Sequence, residues 1–123
     1  VEYIKDKFLI VDAAMNDLLR PALYDASHEV WNLTDSNPKK ELWTIVGPIC
    51  ESSDFIAKDY LINAVQGDIL AIKTAGAYGF VMSSNYNSRL RSAEVLVDGE
   101  EFNIIRSRES FNDLIKNEIN LND

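Results

Sequence analysis

The stretch AEVLVDGEEFNII, residues 93–105, sets the class of the whole chain. Two runs of alternating residues flank Asp98 and Gly99, a pair favoured in tight hairpin turns, so the segment from Ala93 to Ile105 reads as strand, turn, strand. Upstream, Gly67 and Asp68 introduce an apolar strand from Ile69 to Lys73. Gly76 and Gly79 flank Tyr78 in a loop that, on this reading, needs a small-residue backbone on both sides, and Phe80 to Ser84 reads as a return strand. Farther back, Glu41 to Ile49 is a strand with Trp43 and Ile45 on one face, closed by Gly47 and Pro48. Cys50 to Asp54 follows as a polar turn. Ser27 to Leu33 is another strand, and the Asp, Ser, Asn and Pro content of Thr34 to Lys40 marks a mobile loop.

At the N-terminal end, Val1 to Lys5 and Phe8 to Asp12 are β-type runs separated by Asp6 and Lys7, a spacing that suits a hairpin. From Ala13 to Tyr24 the β-branched residues vanish while Asn16, Asp17 and Pro21 appear, which predicts a turn or one-turn helix broken by the proline at the latest. At the other end, Ser110 and Asp113 have the spacing of a capping box, and Phe111, Leu114, Ile115 and Ile119 follow at helical spacing, predicting two to three turns of amphipathic helix. Many short strands with turn signals between them argue for a mostly β fold. The expectation is a β-sandwich or Greek-key-like barrel with a short C-terminal helix and one-turn helices in loops.

A chain of 123 residues with 46% hydrophobic and 26% charged content has the makings of one globular domain with a real core. Its net charge of -8, from 12 basic and 20 acidic residues, repels phosphate backbones and anionic lipid, which argues against nucleic-acid and membrane-surface roles. The apolar runs are far shorter than the roughly 20 residues that span a bilayer. The single cysteine cannot form an internal disulfide and no secretory leader is visible, so a cytoplasmic location is expected. The chain opens on Val1 in what reads as a strand, which fits an origin in the middle of a longer gene product.

Three segments combine reactive side chains with backbone-restricting glycine or proline. In a helical turn, Arg20 and Tyr24 share a face and can grip one carboxylate, although on local evidence a surface ion pair for Arg20 and simple packing for Tyr24 are the commoner explanation of such a pattern. Cys50, at the mouth of the turn from Gly47 to Asp54, is either a reactive thiol or a packing residue. Tyr78 on its loop suits a phenol that hydrogen-bonds a ligand, and a structural role suits it as well. His28, the only histidine, lacks Cys or His companions and reads as structural, so no metal site is assembled around it. Nor is there a glycine-rich phosphate loop.

Taken in order, VDAAMNDLLRPALY (11–24), GPICESSD (47–54), Gly67 with Asp68, GAYG (76–79) and SNYN (84–87) resemble the C-terminal half of the diaminopimelate decarboxylases. These are pyridoxal-phosphate enzymes of lysine biosynthesis on an alanine-racemase-like, fold-type III scaffold. The resemblance covers nearly the whole chain. It implies an N-terminal (β/α)₈ barrel, absent from this chain, that binds most of the pyridoxal 5'-phosphate and supplies the lysine of its Schiff base, and a homodimer with its active sites at the interface. Carried over position by position, Arg20 and Tyr24 match the clamp on the substrate's distal carboxylate, and Glu51 matches the acceptor of the distal ammonium, supplied across the dimer. Cys50, also supplied across the dimer, matches the residue that protonates the substrate carbon after carbon dioxide leaves. Tyr78 matches the tyrosine beside cofactor phosphate and substrate. Two other readings remain open: a sister decarboxylase for ornithine, arginine or a carboxylated polyamine such as carboxynorspermidine, which favours Asp where Glu51 stands and lacks the clamp, and a non-catalytic β-rich binding module.

Overall fold

The structure, a computed structural model, describes residues 7–34 and 39–121. In chain order the strands are β1 (Phe8–Ile10), β2 (Val30–Asn32), β3 (Glu41–Val46), β4 (Phe55–Ile62), β5 (Leu70–Ile72), β6 (Glu94–Asp98) and β7 (Glu101–Arg106). The helices are α1 (Arg20–Tyr24), α2 (Gly79–Met82) and α3 (Phe111–Ile115), each about one turn. Strand β3 is the centre of a three-stranded sheet, parallel to β1 and antiparallel to β4. Strands β2 and β5 pair antiparallel in a second sheet, and β6 and β7 form a hairpin. The mostly β expectation holds, and among the described residues the strands close no barrel.

The core lies where the first two sheets meet. Ile45, Ile56 and Ile62 of the first sheet pack with Val30 of the second, and Leu9, Val11, Trp43, Tyr60, Leu70 and Ile72 surround them. Branched side chains suit this half-buried pleated surface, and full burial of each contributes about 1.5–3 kcal/mol. Tyr60 fixes the sheets to each other: its hydroxyl accepts from the Val30 N–H at 2.8 Å and donates to the Val30 carbonyl at 3.2 Å. Asn32 adds a second tie, donating to the Asn63 carbonyl and the Asp68 carboxylate, each at 2.7 Å.

Several local expectations change. Strand β4, the longest of the fold, has no counterpart in the sequence reading. Its alternation is interrupted where Asp59 takes a left-handed φ of 48° and the pairing with β3 shifts register twice. Such bulges hide a strand from a period-2 pattern. Pro21 does not break a helix but helps to start one. It sits in the first turn of α1, where a missing N–H costs no helical bond, and left-handed Asp25 ends the turn by donating its N–H to the Arg20 carbonyl.

Phe80 to Ser84 is the helical turn α2 rather than a strand. In the hairpin, Asp98 pairs with Glu101, so the two loop residues are Gly99 and Glu100, with Gly99 at φ 61°. Helix α3 is shorter than its apolar spacing suggests, and Ile119 lies beyond it. Its capping box is present: Ser110 Oγ accepts from the Asp113 N–H and the Asp113 carboxylate accepts from the Ser110 N–H. The expected strand Val1 to Lys5 and the centre of the loop Thr34 to Lys40 lie outside the described residues.

Candidate functional site

The segment from Asp12 to Arg20, lacking β-branched residues and therefore free of the sheets, is the hub to which the motif loops are tied. Its first tie is Asp54, a buried residue at the end of the turn that follows Gly47. One oxygen of Asp54 accepts from the Met15 N–H at 2.7 Å and the other from the Ile49 N–H at 2.8 Å. Gly47 makes this approach possible, because a Cβ there would lie 2.4 Å from Asp54 Oδ2 and 2.7 Å from the Ala14 backbone. The Cys50–Glu51 turn is thereby held against the hub, with the Asp54 N–H donating to the Glu51 carbonyl at 3.0 Å.

The second tie is Asn16, almost fully buried. Its side chain accepts from Arg89 Nε at 2.8 Å and donates to the Ser84 carbonyl at 3.4 Å, while its own carbonyl accepts from the Ser84 N–H at 3.0 Å. Arg89 also reaches the Asp12 carbonyl and lies 3.7 Å from the Asp17 carboxylate. Burying an amide and a guanidinium is tolerable only when their donors and acceptors are matched in this way. On the same side, Asp17 shares a shallow hollow with Gly76, Gly79, Phe80 and Ser92, which brings the GAYG loop alongside the hub.

Each expected site residue can now be located. Arg20 opens α1 half-buried, and among the described residues no carboxylate lies within ion-pair distance of it. Tyr24 ends the same turn with 65% of its surface exposed. Cys50 is an exposed free thiol. Glu51, also exposed, accepts from the Tyr86 hydroxyl at 3.1 Å and from the Ser52 N–H at 3.1 Å, and this carboxylate pushes the Tyr86 phenol above its ordinary value. Tyr78 is exposed at the mouth of α2. It is the tyrosine itself that takes the left-handed conformation, φ 64°; Gly76 and Gly79 do not, and a Cβ on either would meet open space. The expected demand for small residues beside it is therefore not one of crowding.

No hydrogen bond or ion pair joins any two of Arg20, Tyr24, Cys50, Glu51 and Tyr78 within the chain. The fold gathers their loops around one segment, and among the described residues the five side chains share no common hydrogen-bond or ion-pair partner. Asp54, Asn16 and Arg89, which do the gathering, were not singled out by sequence: a lone acid after a turn and a lone amide among alanines and leucines have no distinctive spacing. His28 is buried as expected for a structural residue, with Nδ1 at 3.1 Å from the Lys73 carbonyl. Among the described residues no group of three or more His, Cys, Asp or Glu side chains could hold a metal, and no helix is long and apolar enough to cross a membrane.

This arrangement can be compared with known proteins. The family described as pyridoxal-dependent decarboxylase, C-terminal sheet domain, matches residues 1–76, which include β1 to β5, α1 and the Cys50–Glu51 turn. The chain belongs to this family.

Among its decarboxylase relatives, the diaminopimelate decarboxylase of Neisseria meningitidis serogroup A is 52% identical over 120 residues, 97% of this chain and 30% of the relative. The crystal structure of diaminopimelate decarboxylase from M. jannaschii superposes with a TM-score of 0.88 at 42% identity, over 97% of this chain and 27% of that one. That of Helicobacter pylori, complexed with L-lysine, gives a TM-score of 0.84 at 44% identity, over 91% of this chain and 28% of that one. The chain thus spans about three tenths of the length of the decarboxylases it matches. Both structural matches extend past residue 76 into the region of the hairpin and α3.

Proposed function

We propose that this chain is the C-terminal part of a homodimeric, cytoplasmic diaminopimelate decarboxylase that converts meso-2,6-diaminopimelate to L-lysine and carbon dioxide. The observation that carries the reading is the state of Arg20: a half-buried guanidinium with no carboxylate of its own among the described residues, on the hub around which the Cys50–Glu51 and Tyr78 loops are gathered. The names of the chain's relatives supply the substrate.

A substrate with an amino acid at each end needs a cation for its distal carboxylate and an anion for its distal ammonium. Arg20, together with Tyr24 one helical turn on, binds and orients the carboxylate. Glu51, reaching into the partner subunit's site, receives the ammonium. Cys50, next to it in sequence, delivers its proton to the substrate carbon that has lost carbon dioxide. Tyr78 has an exposed phenol with no protein partner among the described residues, on the turn that starts α2, which fits a hydrogen bond to the phosphate of pyridoxal 5'-phosphate. When bound, that cofactor supplies the electron sink for decarboxylation, and a barrel domain outside this chain holds most of it.

The test is turnover by the full-length protein. Ornithine lacks the distal carboxylate and leaves Arg20 unpaired, so its kcat/KM is expected to fall at least about a thousandfold below that of diaminopimelate. Comparable turnover of the two would overturn the reading. Cys50→Ala is expected to lower kcat far more than it weakens substrate binding, whereas equal loss of both would remove Cys50 from the proton-transfer role. The chain alone is expected to be inactive; decarboxylation above background on adding pyridoxal phosphate would contradict that.

A further inference from the structure

We infer that Tyr86 is a positioning residue for Glu51, and that the strained loop carrying it, Ser84 to Arg91, is built to hold that phenol against the carboxylate. The inference rests on the proposal that Glu51 receives the substrate's distal ammonium, and it deepens that proposal.

The first observation is the contact itself. The Tyr86 hydroxyl donates to Glu51 Oε2 at 3.1 Å while the Ser52 N–H donates to Oε1 at 3.1 Å. A carboxylate offers about four acceptor positions, so these two donors fix its plane and leave the others for a ligand. An exposed glutamate on a turn otherwise samples several rotamers, and each must be frozen when substrate binds.

The second observation is independent of the first. Asn87 and Ser88, directly after Tyr86, have left-handed φ values of 58° and 56°, although neither is glycine. Consecutive non-glycine residues in this region persist only where surrounding bonds over-determine them, and such strain concentrates at functional sites. The surrounding bonds are present. Asn85 Nδ2 donates to the Arg89 carbonyl at 2.9 Å and to Glu109 at 2.6 Å. Arg89 is locked to Asn16, and Arg91 bonds Glu109 and Asn85, each at 2.9 Å. Both ends of the loop are thus clamped, and the side chain that the strained stretch presents to Glu51 is Tyr86. Tyr86 also lines a small hollow with Met15, Asn16, Leu19 and Ser84, which places it beside the hub. The hydroxyl is therefore aimed by the clamped backbone that carries it.

The experiment uses the full-length protein. Tyr86→Phe is expected to raise KM for diaminopimelate about tenfold, or about 1.4 kcal/mol, with kcat within about twofold. Adding Tyr86→Phe to Glu51→Gln is expected to change nothing further, because the tyrosine acts through the carboxylate. Ser88→Gly, which frees the backbone beside Tyr86 and keeps the Asn87 side chain that bonds the phenol, is expected to raise KM about threefold without lowering the melting temperature. By NMR of labelled tyrosine, Glu51→Gln is expected to lower the pH at which Tyr86 ionises, since the carboxylate raises it. Additive effects of Tyr86→Phe and Glu51→Gln, or an unchanged KM in Tyr86→Phe where Glu51→Gln raises it, would overturn the inference alone. An unchanged KM in Glu51→Gln would instead remove the proposed role of Glu51, while the tyrosine titration still reports whether the contact exists.

Discussion

Two regions of the chain are held in different ways. Around the hub, Ala14, Asn16, Ile45 and Asp54 are fixed by burial and by matched polar contacts: Ala14 and Ile45 are fully buried, and Asp54 and Asn16 spend their side chains on the backbone and on neighbouring loops. In the hairpin β6–β7 the cross-strand pairs Val95 with Ile104 and Val97 with Phe102 form an apolar face that nothing described covers, with Phe102 73% exposed. Its conformation rests on the Gly99 turn, the strand pairing, and a few side-chain contacts such as Arg106, which pairs with Glu94 and stacks on Phe80 with its guanidinium 3.8 Å from the ring centre. The difference teaches that one region stores stability within the chain while the other presents surface.

The contrast can be broken at its strongest point. Asp54→Ala leaves the Met15 and Ile49 N–H groups unpaired and is expected to cost about 3 kcal/mol of folding free energy, measured by denaturant unfolding of the chain. Next, Gly47→Ala forces a methyl onto Asp54 and Ala14 and is expected to cost about 2 kcal/mol. A cost below about 0.5 kcal/mol for either would mean that the hub is not where stability lies.

The hairpin makes the opposite prediction. Phe102→Ser is expected to change stability of the chain by less than about 0.5 kcal/mol, yet to weaken a concentration-dependent self-association seen by sedimentation, because exposed apolar faces seek cover. A strictly monomeric chain at high concentration would count against this.

The smallest effect is electrostatic. Hydrogen bonds from Lys39 and then Lys7 hold the half-buried Glu41 carboxyl at about 2, below its ordinary 4.5. A depressed carboxyl contributes stability that is fully present above the unfolded value and lost as pH falls through the folded one. Melting temperature is therefore expected to drop between about pH 4.5 and pH 2 by slightly less in Glu41→Gln than in the parent.

The same contrast explains what was legible in the sequence. The hairpin at Ala93 to Ile105 and the cap at Ser110 are written in local chemistry, turn glycine and capping serine, and both appear where expected apart from a shift of the turn by one residue. Strand β4 is not legible because Asp59 bends it, and Phe80 to Ser84 is helical where a strand is expected because a short apolar run fits strand and helix equally. At the site, the loops carrying Arg20, Cys50, Glu51 and Tyr78 could be singled out by residue type. The roles of Tyr86, Asp54 and Asn16 could not, although each lies in one of the quoted motifs, since those roles depend on partners between 35 and 73 residues away in sequence.

Under the proposed function one chain serves two active sites, Arg20 and Tyr24 in its own subunit and Cys50 and Glu51 in its partner's. Mixing full-length Arg20→Ala with full-length Cys50→Ala, each nearly inactive alone, tests it most directly. If the sites are shared, each mixed dimer regains one intact site, and random re-pairing should restore about a quarter of parental activity. A mixture no more active than its two components, with exchange of subunits verified, would contradict the account.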